Sequence, residues 1–294
     1  MSSGFRWFDS WEDSAQVEKL RETLPEILRY EGEFGPEIVS FIPFVFNLHI
    51  RGMLENRQIS TYIGMKPFYY FSPRKKLIER SENRIWVPPL ERWWPNSDEH
   101  IRQATHGEHY PHYSGKANKK KRIIFIQNKY SLEWRQEPIN FLSLELLDAI
   151  FQNTKDNYHI IYSRQGISKD ESKLGISIDH NIEEDFQDFD LCQKYRHVKI
   201  LERSKLFNLR SYNSEKLYWI SRASYLAGVQ GGSNTPWAYF SKPALILHKH
   251  GRETEFSYLH GYYKYLSDPP LDLRVVHTDG DFITQLLGML NSKN

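Results

Sequence analysis

The sequence predicts an α/β fold, and two observations carry that expectation. From residue 122 onward, short apolar runs of strand length alternate with segments of helical period. The first of those runs, Ile-Ile-Phe-Ile-Gln (123–127), is apolar without alternation, as a strand buried on both faces is. Alternation of this kind implies right-handed βαβ units and a parallel sheet.

The elements follow in order. Residues 14–30 place Val17, Leu20, Leu24 and Ile27 three or four apart, the pattern of an amphipathic helix, with Pro25 as a kink. Gly32 and Gly35 then bracket Glu33 and Phe34, and Pro36 suits the first position of an apolar helix. Pro-Phe-Tyr-Tyr-Phe-Ser (67–72) and Arg-Ile-Trp-Val-Pro-Pro (84–89) read as strands. Residues 88–118 show no clean period, and the charged run 116–122 leads into the next strand, so the domain boundary falls near residue 118. An N-terminal α/β unit, 1–118, and a Rossmann-like unit, 119–294, result; the last helix is a candidate to return to the first unit. In the second unit, strands at 122–127, 158–163, 198–201, 225–230, 243–249 and 273–278 alternate with helices at 139–152, 215–223 and 281–290. A further helix opens at Pro236, and Phe141 is placed on the inner face of the first of these helices.

Composition narrows the function. Lys plus Arg number 39 and Asp plus Glu 37, which argues against a dedicated nucleic-acid binder. The single cysteine, Cys192, leaves no intramolecular disulfide and no multi-cysteine metal site. No apolar run reaches the length of a membrane span and no signal-peptide core opens the chain, so a cytoplasmic protein is expected. Aromatic residues reach 15%, and flat rings with polar edges suit sugar recognition.

In a parallel sheet, ligands bind beyond the carboxyl ends of the strands. The residues there are Asn128, Lys129 and Glu133; Arg164; Gly231, Gly232, Ser233, Asn234 and Thr235; and the run His248–Glu253. Glycines after a strand let a phosphate approach backbone amides, with Thr235 as helix N-cap, Pro236 as first helical residue and the dipole favouring the anion. Lys129 and Arg164 would complete a diphosphate clamp, with Glu253 or Glu255 accepting from ribose or donor-sugar hydroxyls. The P-loop, the G-x-G-x-x-G fingerprint and the G-x-S-x-G elbow are absent from the sequence.

The segments Gly32–Leu54, Phe68–Pro73, Ile126–Trp134, Ile139–Phe151, Tyr158–Arg164 and Gly228–Glu253 resemble glycosyltransferases of the GT-B type. Similar proteins build bacterial surface polysaccharides or decorate capsids of large algal viruses. The resemblance implies two Rossmann-like domains facing across a cleft, a nucleotide-sugar donor held by the second, an oligosaccharide or glycoprotein acceptor, and no metal or other cofactor. A UDP-sugar such as UDP-xylose is the favoured donor, with host cytoplasm as the location if the chain is viral. Asp-Phe-Asp (188–190) reads as a solvated acidic face rather than a metal motif, and His106, His109 and His112 as loop histidines.

Inverting transfer requires a general base, for which Glu33 at the helix start is the first candidate and Glu37 its competitor. Phe34, Trp93, Trp94 and His112 are the acceptor-side candidates. Two rival readings remain open at this level: a glycan-binding module on a decayed transferase fold, and a GDP-sugar-using fucosyl-type transferase.

Overall fold

The computed structural model describes residues 14–82, 84–85, 122–131, 137–164, 186–203, 212–251, 263, 266–267 and 269–292. Two parallel sheets organise them. The first has the order β1 (Ile27–Arg29), β2 (Gln58–Tyr62), β3 (Leu77–Arg80). The second has six strands, β4 (Arg122–Asn128), β5 (Tyr158–Arg164), β6 (Val198–Ile200), β7 (Tyr225–Val229), β8 (Pro243–Leu247) and β9 (Asp272–Val276). Their spatial order is β6-β5-β4-β7-β8-β9, and every neighbouring pair is parallel. Counted within that sheet the order is 3-2-1-4-5-6, the Rossmann arrangement, whose direction of winding reverses between β4 and β7. The α/β expectation is met.

The N-terminal elements depart from the sequence reading. Helix α1 runs only Ser14–Thr23, because Pro25 cannot continue it and biases the preceding residue toward extended backbone. Ile27 therefore lies in a strand, exposed, with Leu28 buried beside it. The next helical run starts at Phe34, not Pro36: α2 (Phe34–Pro36), a π turn (Glu37–Phe41) and α3 (Ile42–Ile50) follow without a break. The π turn stands directly ahead of Pro43, whose missing N–H removes an α-type bond and whose ring crowds the carbonyl four residues back. Residues 67–72 are not a strand. Gly64, at φ +86°, turns the chain two residues after β2, and Pro67 sits in the first positions of a 3₁₀ turn, Lys66–Tyr69, that buries Phe68 and Tyr69. Of the strand expected at 84–89, only Arg84 and Ile85 are described, and neither is extended in a sheet.

The second sheet matches its reading more closely. Helix α4 is Leu144–Thr154, capped by Ser143, whose Oγ accepts from the Leu146 N–H at 3.2 Å. It buries Leu146, Leu147, Ile150 and Phe151, while Phe141 lies outside the helix, edge-on to Tyr130. Helices α5 (Asp188–Gln193) and α6 (Tyr212–Arg222) follow. Helix α7 (Asp279–Asn291) is capped by Thr278 and packs Phe282 and Leu286 into one core with α4 and β8. It stays on the second sheet, where Tyr158 donates to the Leu290 carbonyl at 3.0 Å, instead of returning to the first unit.

The opposite face of the second sheet (Ile123, Phe125, Leu226, Ile246) joins α6 and the N-terminal helices in a single continuous core. Tyr239 donates to the Ile38 carbonyl, and Asn213 to the Gly64 carbonyl at 2.9 Å, tying the two halves through backbone acceptors.

Lys242 links the end of α6 to β8, donating to the carbonyls of Ser221 at 3.0 Å and Ala223 at 2.8 Å. Burial lowers its pKa from 10.5 to about 8. In that interval the unfolded chain binds the proton and the folded chain does not, so this group makes stability rise as pH goes from about 8 to 10.5. The difference in stability between the parent and Lys242→Met, measured by urea titration at several pH values, is expected to shift in favour of the parent across that window.

Candidate functional site

The site is built where the winding of the second sheet reverses. Adjacent strands β4 and β7 end on the same rim, and Lys129, just after β4, donates from Nζ to Gln230 Oε1 at 2.8 Å. Gly231 follows at φ +148°, a conformation that side chains rarely adopt, and a Cβ there would stand 3.3 Å from Lys129 Nζ. At Gly232 an added Cβ would meet nothing within 4 Å, so the backbone faces open space.

The chain then enters a 3₁₀ run, Gly232–Tyr239, with Gly231 at the cap position. This corrects the expected α-helix: Thr235 is not the N-cap and Pro236 lies inside the run. Thr235 Oγ1 instead donates to the Gly232 carbonyl at 2.5 Å. Asn234 is fully buried; its Nδ2 donates to the Val229 carbonyl at 2.6 Å and its Oδ1 accepts from Tyr263 at 2.9 Å. Both side chains shape the loop from within and are not presented to a ligand. The N–H groups of Gly232 and Ser233 have no acceptor among the described residues. Lys216, on the second turn of α6 and itself buried, donates to the Ser233 carbonyl. Two ammonium groups thus flank the open loop, Lys129 and Lys216. The second escaped the sequence reading because it reaches the loop from a helix interior 17 residues upstream.

Two other expected clamp residues are used differently. Asn128 is buried at the end of β4; its Nδ2 donates to Tyr162 at 3.0 Å and the Leu142 carbonyl at 3.2 Å, and its Oδ1 accepts from Leu142 N–H. Arg164 lies 3% exposed, with Nε on Asp188 Oδ2 at 2.7 Å. Its charge is committed to Asp188, which also accepts from Tyr162 at 2.5 Å. Asp188 is therefore buried and ion-paired, which corrects its reading as a solvated face. Burial raises its carboxyl pKa, with Arg164 pulling the other way, and burial beside Asp188 holds the Tyr162 hydroxyl well above its ordinary range. His248 closes the rim on β9: its N–H donates to the Val276 carbonyl at 2.8 Å, and its carbonyl stands 2.7 Å from His277 Nδ1. Asn140, unforeseen, braces the next turn by accepting from Lys249 N–H at 2.8 Å and donating to the His250 carbonyl at 2.8 Å.

The N-terminal half meets this loop at α2. A Cβ on Gly35 would lie 3.8 Å from Thr235 Oγ1. Glu33, two residues earlier, is the exposed cap residue of α2 and makes no side-chain capping bond. Tyr30 donates to its carbonyl at 2.5 Å and so holds the backbone. Phe34, expected on the acceptor side, is buried edge-on to Phe68 at 5.9 Å and belongs to the core. Glu37 is fully buried too, accepting from Thr61 and from Tyr69 at 2.7 Å and paired with Arg84 at 2.7 Å. It is a structural carboxylate and no competitor to Glu33. Glu133, Trp93, Trp94, His106, His109, His112, Glu253 and Glu255 lie outside the described residues. Among the described residues no helix is long and apolar enough to cross a membrane.

No protein-family model matches the chain, and no curated protein matches it significantly. Solved structures do. The E. coli heptosyltransferase WaaC with ADP shares 10% identity at TM-score 0.38, over 98% of this chain and 81% of that one. The E. coli ADP-heptose lps heptosyltransferase II shares 10% at 0.39, over 95% and 80%. A glycosyl transferase of family 9 from Veillonella parvula shares 10% at 0.43, over 91% and 88%. Because these scores lie below 0.5, the functional reading rests on the chain's own residues.

The buried pair gives a test of role. Arg164→Met strands an uncompensated carboxylate and is expected to cost about 3–5 kcal/mol in urea unfolding. Arg164→Met combined with Asp188→Leu is expected to recover most of that loss, as a structural pair would.

Proposed function

We propose that the chain is a nucleotide-sugar-dependent glycosyltransferase whose donor diphosphate sits on the Gly231–Ser233 loop. One observation carries the reading: at the crossover between β4 and β7, open backbone amides lie beside Lys129, with Lys216 behind them. A crevice at this point of a doubly wound sheet is where such folds take ligands. Amide dipoles and two ammonium groups around one loop favour a doubly charged anion over a neutral ligand.

In the reaction, the acceptor hydroxyl gives its proton to the Glu33 carboxylate. Its oxygen then bonds to the anomeric carbon as that carbon's bond to the diphosphate oxygen breaks. The electron pair leaves on the diphosphate, whose charge Lys129 and the amides stabilise. Attack opposite the leaving group inverts the anomeric centre. Glu33 suits the base because it is exposed, has no capping duty and stands two residues from the contact with Thr235. A UDP-sugar is the proposed donor, a glycan hydroxyl the acceptor, and protein cations take the part that a metal plays in other transferases.

The glycine loop supplies a test that leaves the fold intact. Gly232→Ala adds a methyl into open space, so thermal stability should hold while UDP affinity drops at least tenfold in calorimetry. Lys129→Met should lower that affinity about 10–100-fold, the scale of a charge-assisted contact of ~1.5–3 kcal/mol. Glu33→Gln should leave UDP binding unchanged and slow donor-dependent sugar transfer about 100-fold or more. If UDP, GDP and ADP all fail to bind at millimolar concentration, the proposal is wrong.

A further inference from the structure

A cavity of about 480 Å³, within the range of small-ligand sites, lies between the β2–β3 connection and α6. One wall is the connection from β2 to β3, and Ser214 on the first turn of α6 faces it. Ser214 and Lys216 are two positions apart on a helix and point about 200° apart. Helix α6 thus sends Lys216 to the Ser233 carbonyl and Ser214 to the cavity.

The lining is mixed in a particular way. Pro67 and Tyr70 line it half-buried, the Tyr70 ring edge-on to Phe71 and tilted on Phe46, and Ser72 and Ser214 bring hydroxyl groups to it. Lys66 is matched by Glu79 at 2.8 Å, and Glu79 also accepts from Gly64 N–H at 2.8 Å. Arg74, exposed on the 3₁₀ turn Arg74–Lys76 that precedes β3, pairs with no carboxylate among the described residues. Among the described lining residues, two cations face one carboxylate, and the remaining positive charge is carried by a guanidinium that can grip an oxyanion with two parallel N–H bonds. Rings beside hydroxyls favour a ligand with both C–H faces and hydroxyl groups.

We infer that this cavity binds an anionic sugar, a saccharide bearing a carboxylate or phosphate that Arg74 holds while its ring lies against Tyr70 and Pro67. The inference does not depend on the donor reading, since the two sites share no proposed contact residue.

Ligand-observed NMR titration of the full chain at low salt tests it, with glucuronate, glucose 6-phosphate, glucose and inorganic phosphate as probes. The expected result is saturable binding of at least one anionic sugar, roughly fivefold or more tighter than glucose. Arg74→Gln should abolish that preference and Arg74→Lys should keep part of it, and neither should change UDP binding. A preference for glucuronate alone or for glucose 6-phosphate alone identifies the anion. Equal binding of glucose and the anionic sugars, no binding of either, or an unchanged preference in Arg74→Gln would overturn the proposal. So would inorganic phosphate competing as well as glucose 6-phosphate, because the site would then read a bare anion. Lys129→Met, which should impair UDP binding alone, separates failure here from failure of the transferase reading.

Discussion

The close approach of β7 to β4 governs the rest of this structure. A Cβ at Gly228 would stand 2.3 Å from the Gln127 carbonyl oxygen and 3.0 Å from the Trp237 ring. Glycine there lets strand, neighbour and indole fit together, and Trp237 is fully buried as a result. The indole anchors the 3₁₀ run from its far end, so the chain must turn immediately after Val229. Lys129 and Gly231 end side by side because their strands are hydrogen-bonded neighbours.

Burial sorts the charged residues of the rim. Lys129 is half-exposed and donates to the Gln230 amide oxygen. Arg164, also cationic and also placed at a strand end, is spent on Asp188 inside the protein. Such a pair confers little net stability over an apolar replacement, yet losing one member is costly. It connects β5, α5 and, through Tyr162 and Asn128, the loop that leads into α4. The network therefore holds the shape of the rim, and the proposed donor contacts fall to Lys129 and the loop amides.

The two halves are joined by more than a linker. A continuous apolar core, the Tyr239 bond to Ile38 and the Asn213 bond to Gly64 fix the N-terminal sheet against α6 and the 3₁₀ run. The π turn ahead of Pro43 and the buried Glu37–Arg84 pair sit beneath α2, so Glu33 emerges from a braced segment. A carboxylate presented on a rigid element keeps its direction, which the base role proposed for Glu33 requires.

What could be read from residue order alone was the second sheet and the location of its glycine loop. Long apolar runs such as Ile123–Ile126 are buried whichever way the sheet is assembled, and a strand-to-glycine junction is local. The N-terminal strands escaped because they are three to five residues long, and at Ile27 the apolar residue is 45% exposed, so helical spacing matched by coincidence. Pro67 turned an aromatic run into a 3₁₀ turn that β-propensity alone describes as strand. Side-chain roles at the site needed tertiary structure for one reason. Whether a charge is free for a ligand depends on its partner, and the partners of Arg164 and of the Ser233 carbonyl lie 24 and 17 residues away. Local sequence holds the inventory of charges; only the packed fold decides which of them are neutralised.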